Sequence, residues 1–412
     1  MQQPHSRLLR SLPALVALMQ LLPVQAGRAA CPTLPVLNSS FETSFGSTTN
    51  VVPSWTVNLF GSGSAGVFNP GANAAVRNGR NVVYLSPKAG TSEIFQELTS
   101  TLLAPGPYEL TAFIGRRTTL AFPASCTIEL LAGGVVKASA SCGPPAFDPG
   151  PFDSRKFTVD FTAAANDVDL GEPLQVAIRA GDPSPTATSQ AIVDDVWLTN
   201  SPDGVTLYHE IYVPNRNFEL ATPLLGNGST TANGVVDDWV TSRSGTSSLG
   251  IHNPTTTTFP TEAPEGQNVL YLRPQAGLSE VRSPPLVTPL MQGDYCLSVN
   301  VGQENAATDG FPDTCTIELR AGASLLTSVD CASSVPAKGT FSLFTLTYTA
   351  TALSPGLGQP IELRVRATQA ASALETAWPD DVRFLPEPSA RTALLLGVVL
   401  LIGIARLAPR VS

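Results

Sequence analysis

Apolar and polar residues alternate at period two over short stretches: Cys126 to Leu131, Lys156 to Phe161 and Leu174 to Ile178, and again Leu343 to Tyr348 and Ile361 to Val365. Alternation of this kind sets one face of a β-strand on a core and the other in solvent. Gly and Pro, 33 and 36 residues, interrupt the chain so often that few windows can hold a long helix. Tyr108 after Gly106-Pro107 and Tyr295 after Gly293-Asp294 read as turn-then-strand entries carrying an aromatic core residue. Many short strands separated by turns predict an all-β chain of β-sandwich or jelly-roll type.

Two apolar runs depart from this pattern, one at each end. The run from Leu12 to Val24 follows Arg7 and Arg10 and leaves through small residues between Gln25 and Ala30. That order predicts a cleavable signal helix within residues 1–30, too short to span a bilayer as an anchor. At the other end Leu385-Pro386-Glu387-Pro388-Ser389 precedes the run Ala393 to Ile404, then Arg406 and Arg410. A membrane helix over 392–408 is expected there, with Arg391 and Arg410 as snorkelling flanks. The triplet Pro386, Glu387, Pro388 before a short apolar helix and a basic end resembles the PEP-CTERM sorting tail of exported bacterial proteins. The resemblance implies an exosortase-type membrane enzyme as partner, transient anchoring in the inner membrane, and delivery to the cell surface or an exopolysaccharide matrix. A plain C-terminal anchor is the alternative.

Between the ends the sequence repeats itself. Asn38-Ser39-Ser40-Phe41-Glu42 returns as Asn215-Arg216-Asn217-Phe218-Glu219, and Val52-Pro53-Ser54-Trp55 as Val236-Asp237-Asp238-Trp239. Gly66-Val67-Phe68-Asn69-Pro70 returns as Gly250-Ile251-His252-Asn253-Pro254, and Asn81-Val82-Val83-Tyr84-Leu85 as Asn268-Val269-Leu270-Tyr271-Leu272. Each copy then carries Ala-Gly-x-Ser-Glu, ending at Glu93 and Glu280, and closes on Asp194-Asp195-Val196 or Asp380-Asp381-Val382. One module of roughly 170 residues used twice accounts for the series. The limits are 36–200 for the first module, 201–210 for a linker, 211–385 for the second and 386–412 for the tail.

The net charge of −9 and the presence of only four lysines leave no basic stripe to neutralise a phosphate backbone, so nucleic acid is excluded as a partner. Six cysteines in a chain read as exported point to disulfides. Cys126 and Cys142 recur as Cys315 and Cys331 at the same spacing, and each pair is expected to close a hairpin-like loop. A loop of that size contributes about 3 kcal/mol in the chain-entropy picture. A zinc site is the rival, but His is nearly absent. Cys31 and Cys296 have no counterpart in the other copy; a bridge between them is open, as is a lipid on Cys31.

His5 lies in the signal segment, His209 in the linker, and His252 replaces Phe68, so no His-based catalytic apparatus is shared by the copies. What repeats is acidic: Glu42 and Glu219 early in each module, and an Asp pair near its last strand. If first and last strands lie side by side these carboxylates converge. Hard oxygens of that kind suit Ca²⁺.

The series Asn-x-x-Phe-Glu, Pro-x-Trp, Gly-Val-Phe-Asn-Pro, Gly-x-Asn-Val-Val-Tyr-Leu and Asp-Asp-Val resembles the hapalindole-cyclase-type (Stig cyclase) domain. More broadly it is similar to Ca²⁺-containing carbohydrate-binding modules with a galactose-binding-like jelly roll. The resemblance implies two tandem jelly-roll sandwiches with structural Ca²⁺, carried here onto Glu42, Asp195, Glu219 and Asp381. The second copy departs from the pattern at Asp237-Asp238-Trp239 and at His252.

Three functions are consistent with these features. A non-enzymatic binding protein would hold exopolysaccharide on aromatic rings, with Trp55, Phe68, Tyr84, Trp239 and Tyr271 as candidate contacts, although the strand pattern turns several of them inward. A cyclase-like enzyme would use an acidic residue of raised pKa in a cleft, and the sequence singles out none. A purely structural spacer needs neither.

Overall fold

The computed structural model describes residues 33–387 apart from 35, 44–46, 72–75, 144–154, 187, 201–210, 221–224, 261–262, 307–308 and 371–373. The expected signal helix, the linker, Pro388 and the 392–408 helix lie outside the described residues. Among the described residues no helix is long and apolar enough to cross a membrane.

The period-two pattern becomes strands in both modules. In the first, one sheet runs in the order Ser64–Phe68, Val82–Ser86, Ala191–Asn200, Gly106–Arg116, Arg155–Ala163, with Thr33–Leu34 also paired to Ala191–Asn200. The facing sheet runs Thr56–Phe60, Gly90–Leu102, Pro173–Asp182, Ser125–Ala132, Val135–Ser141. All of these pairings are antiparallel.

The second module repeats the facing sheet as Val240–Arg243, Gly277–Arg282, Ile361–Gln369, Thr314–Ala321, Ser324–Asp330. Its other layer consists of the pair Ser248–His252 and Val269–Arg273 beside the triplet Thr340–Ala350, Gly293–Gln303, Trp378–Glu387. A bridge between Leu272 and Ala377 joins the two parts. Ile361–Gln369 alternates buried and half-buried positions without a break, as its sequence requires.

Each core draws on both sheets. Leu85, Leu110, Ile114 and Val193 meet Ile94, Ile128, Leu130 and Val176 in the first module. Leu249, Leu270, Leu297 and Val299 meet Val281, Ile317, Leu319 and Val365 in the second. Fully burying such a side chain is worth about 1.5–3 kcal/mol.

Cys126 is bonded to Cys142 and Cys315 to Cys331, as their spacing predicts. Cys296 is disulfide-bonded as well, and its partner lies outside the described residues. Such bonds persist in an oxidising, extracellular environment. The last strand reaches Glu387, with Pro386 opposite Tyr295 and Glu387 opposite Asp294. The first two residues of the Pro-Glu-Pro triplet thus continue this strand.

Candidate functional site

The Asn-x-x-Phe-Glu turn is built the same way twice. Asn38 and Asn215 sit at φ 48° and 45°, Phe41 and Phe218 at φ 63° and 57°, in the left-handed region. Asn tolerates that region because its short amide bonds locally. Asn38 donates to the Pro53 carbonyl and accepts from the Thr43 N–H, and Asn215 does the same with Asp237 and Leu220.

Phe41 packs on Trp55 with ring centroids 5.6 Å apart, and Phe218 on Trp239 at 5.4 Å. Each indole N–H is satisfied inside the protein, by the Leu37 carbonyl for Trp55 and by the Pro214 carbonyl for Trp239. Both tryptophans are therefore core pins and not ligand platforms, which corrects the sequence expectation for Trp55 and Trp239.

Each turn aims its glutamate into a cradle of amides. Glu42 accepts from the backbone N–H groups of Arg80 and Asn81 and from the Asn81 side chain. Glu219 accepts from those of Gln267 and Asn268 and from the Asn268 side chain. Gly79 and Gly266, at φ +72° and +74°, close the cradles, and a Cβ on either would collide with the carboxylate it faces.

The two turns meet at the junction between the modules. Ser40 donates its N–H and hydroxyl to Glu265, at 3.0 and 2.7 Å, and Asn217 donates to the Ser40 oxygen at 2.9 Å. Arg216 is 2% exposed and stands where the first copy has Ser39. It joins Asp195 of the first module at 3.1 Å to Asp381 of its own at 2.7 Å. Arg383 adds a second cation on Asp381 at 2.9 Å.

The structure thus divides each acidic pair. Asp195 and Asp381, the expected calcium ligands, face Arg216. The residues that keep company with the glutamates are Asp194 and Asp380, which the sequence reading passed over. Asp194 accepts from the N–H groups of Arg77, Asn78 and Asp195, and Asp380 from that of Glu265. Burial, then the charge of Glu219, raises the Glu42 carboxyl well above its usual range, and Asp194 adds to the push. Burial does the same to Glu219, Asp194 and Asp380, aided by Glu265, Asp195 and Asp381 respectively. Burial opposes ionisation of Asp381 too, but Arg383 and Arg216 outweigh it and hold that carboxyl below its usual range.

Among the described residues no ready-made group of three or more His, Cys, Asp or Glu could hold a metal ion. The junction nevertheless carries buried side-chain oxygens with no hydrogen-bond partner: Asp380 Oδ1, Asn78 Oδ1, Asn217 Oδ1 and Asn268 Oδ1. Oxygens of this kind are the donors that a hard cation such as Ca²⁺ takes.

The clefts at the outer edges of the sheets are unequal. In the first module Phe68, Val82 and Ile192 pack together with Tyr84, whose ring meets Phe68 edge-on at 5.7 Å. The Arg117 guanidinium lies 5.4 Å from the Phe68 ring centre. In the second module His252 and Trp378 occupy the places of Phe68 and Ile192, and a cavity of about 380 Å³ is lined by His252, Tyr271, Arg273, Glu304 and Trp378.

His252 and Tyr271 lie 5.2 and 6.0 Å from the Trp378 ring centre. His252 Nδ1 and Trp378 Nε1 are buried without a partner. Burial keeps the imidazole below its usual range, and hence neutral. Arg273 donates to Thr376 at 2.9 Å and lies 3.6 Å from Asp309. Glu304 is raised by burial and then by Asp309, to which it is also hydrogen-bonded. Of the five aromatic candidates only Tyr271 thus lines the open cleft. Sequence reasoning missed Trp378, whose position in the repeat holds Ile192 in the first copy.

The family model described as HpiC1-like, HpiC1 cyclase, matches residues 32–199 and 209–385. The chain belongs to this family. Among solved structures, a Stig cyclase from Fischerella sp. TAU in complex with an indole compound is 26% identical; the match covers 44% of this chain and 100% of that one, with a TM-score of 0.39. A cyclase from the same source in complex with 4-(1H-indol-3-yl)butan-2-one is 26% identical over 44% of this chain and 98% of its own, with a TM-score of 0.38. The tandem CBM22-1–CBM22-2 domain of Xyn10C from Paenibacillus barcinonensis is 12% identical over 87% of this chain and 99% of its own, with a TM-score of 0.28. No curated protein matches.

The raised carboxyls fix a sign for pH dependence. A carboxyl held above its unfolded value supports the fold while protonated, and that support is lost as pH rises through the folded value. Asp381 acts oppositely and loses its contribution only on acidification below the ordinary carboxylate range. In chelator, the unfolding midpoint is expected to fall as pH rises above the ordinary carboxylate range, and Asp380→Asn to flatten the slope. A midpoint that is flat or rises as pH is raised above that range contradicts the assignment.

Proposed function

We propose that this chain is an exported surface or matrix protein in which two jelly-roll modules, joined through a calcium-stabilised junction, bind polysaccharide in the cleft of the second. The observation that carries the reading is that cleft. Its walls are the rings of Tyr271, Trp378 and His252, and rings of this kind stack on sugar faces. Its buried, unpartnered Trp378 Nε1 and His252 Nδ1 offer one donor and one acceptor, and Arg273 and Glu304 add charged hydrogen-bonding groups. The apolar cluster of Phe68, Val82 and Ile192 in the first module supports a packing role there. Export and sorting by an exosortase-type enzyme rest on the two terminal segments and agree with the disulfides.

A second reading is favoured by one pair. An acid-dependent cyclase needs a carboxyl of raised pKa, and Glu304, raised by burial and by Asp309, lies at the edge of an aromatic cleft.

Calorimetric titration of the whole chain with neutral oligosaccharides, and separately with 4-(1H-indol-3-yl)butan-2-one, distinguishes the two. Binding of an oligosaccharide that weakens at least tenfold in Trp378→Ala and is unchanged in Ile192→Ala supports the first reading; tenfold corresponds to about 1.4 kcal/mol. Binding of the indole ketone alone, with turnover lost in Glu304→Gln, replaces it by the second.

The calcium component has its own test. Excess Ca²⁺ over chelator is expected to raise the unfolding midpoint, by the equivalent of about 2.7 kcal/mol at a hundredfold excess over Kd. Asp194→Asn with Asp380→Asn should abolish the rise. A midpoint indifferent to Ca²⁺ removes the metal from the account.

A further inference from the structure

A second, smaller cavity lies where a sheet of the first module meets the start of the second. It holds about 70 Å³ and is lined by Arg77, Phe113, Lys156, Asp195, Trp197 and Tyr212 together with Val213 and Arg216. Phe113, Lys156 and Trp197 come from three neighbouring strands, Gly106–Arg116, Arg155–Ala163 and Ala191–Asn200. Tyr212, from the start of the second module, is 37% exposed and donates its hydroxyl to the Arg77 carbonyl at 3.2 Å.

The charges around this cavity do not cancel. Arg216 is taken up by Asp195 and Asp381, and Lys156 lies 3.5 Å from Glu109. Arg77 forms no ion pair with any described carboxylate. Its guanidinium is clamped instead between two aromatic faces, 4.6 Å from the Phe113 ring centre and 3.6 Å from that of Tyr212. Stacking of this kind fixes the plane of a guanidinium and covers its faces, leaving its edge to donate.

Two donors at the cavity have no acceptor: Arg77 Nε and Trp197 Nε1 are both buried and unpartnered. Trp197 is 4% exposed. A buried donor with no acceptor is uncommon in a folded protein and marks a place where a ligand oxygen belongs.

We propose that this cavity is a binding site for a carboxylate group, held by Arg77 and Trp197, with Lys156 at the rim. A planar, singly charged oxyanion matches the one uncompensated guanidinium and the small volume. A phosphate or sulfate is disfavoured, since the Asp195 carboxylate forms part of the wall and would repel a second negative charge. The group would enter either on a small organic acid or on a uronic-acid sugar. The site shares no lining residue with the cleft in the second module.

Calorimetric titration of the full chain carrying Trp378→Ala, which disables the cleft of the second module, with sodium acetate, D-glucuronate, D-glucose and sodium sulfate tests the assignment. Acetate and glucuronate should bind, glucose and sulfate should not, and the affinity should fall as salt is raised. Glucuronate binding at least tenfold tighter than acetate assigns the site to an acidic sugar, and equal affinities assign it to small acids.

Arg77→Gln should weaken binding at least tenfold. Trp197→Phe keeps the ring and removes the N–H, and should weaken it about threefold with the unfolding midpoint unchanged. Should Arg77→Gln fail to fold, Trp197→Phe alone decides. Trp378→Ala should leave carboxylate binding intact. The proposal is overturned if glucose binds as well as glucuronate, if no carboxylate binds, or if the folded variants bind as tightly as the parent.

Discussion

The structure depends on how it buries acid. Glu42, Asp194, Glu219 and Asp380 are withdrawn from water at one junction, with Asp195, Glu265 and Asp381 beside them. An isolated buried carboxylate costs several kcal/mol, so each needs donors or a counter-charge. Backbone amides supply the donors for the glutamates and for the first Asp of each pair. Arg216 supplies the counter-charge for the second Asp of both pairs at once.

That single arginine also accounts for the way the two copies differ. Both modules present the same turn to the junction, so the position of Arg216 in one faces that of Ser39 in the other, and Arg216 Nη2 comes within 3.5 Å of the Ser39 hydroxyl. One guanidinium spans Asp195 and Asp381, and a second would meet the first across the same narrow space. Serine leaves room for the arginine. Two separate copies of one sequence would have to carry the same residue at this position, whereas a duplicated chain can carry one of each. The two modules have diverged by the same freedom, Phe68 and Ile192 packing together in one while His252 and Trp378 line a cavity in the other.

Much of this was legible in the sequence because it follows from period and spacing. The alternation over Cys126 to Leu131 and Ile361 to Val365 located core strands, and the matched cysteine intervals located the disulfides. Convergence of first turn and last strand was also readable, since Glu42 and the Asp pair recur together. What could not be read was which Asp of each pair meets the glutamate. A left-handed residue at Asp195 and at Asp381, φ 51° and 46°, interrupts the register there and swings the second carboxylate toward Arg216. Trp55 and Trp239 look like sugar platforms in one dimension and prove to be pins, because the turn beside each supplies a carbonyl for its indole N–H. The partnership of Arg77 with Phe113 and Tyr212 joins residues far apart in the chain, and no local pattern announces it.

The central claim is that Arg216 makes the two sandwiches one cooperative unit. Scanning calorimetry of the intact chain beside Arg216→Ser, which restores the residue of the first copy, tests it most directly. Removing one partner of a buried ion pair costs about 3–5 kcal/mol. The account predicts a single transition for the parent chain, and in the variant a lowered profile resolved into two transitions, one for each module. Two transitions in the parent, or a variant that melts as the parent does, would contradict it.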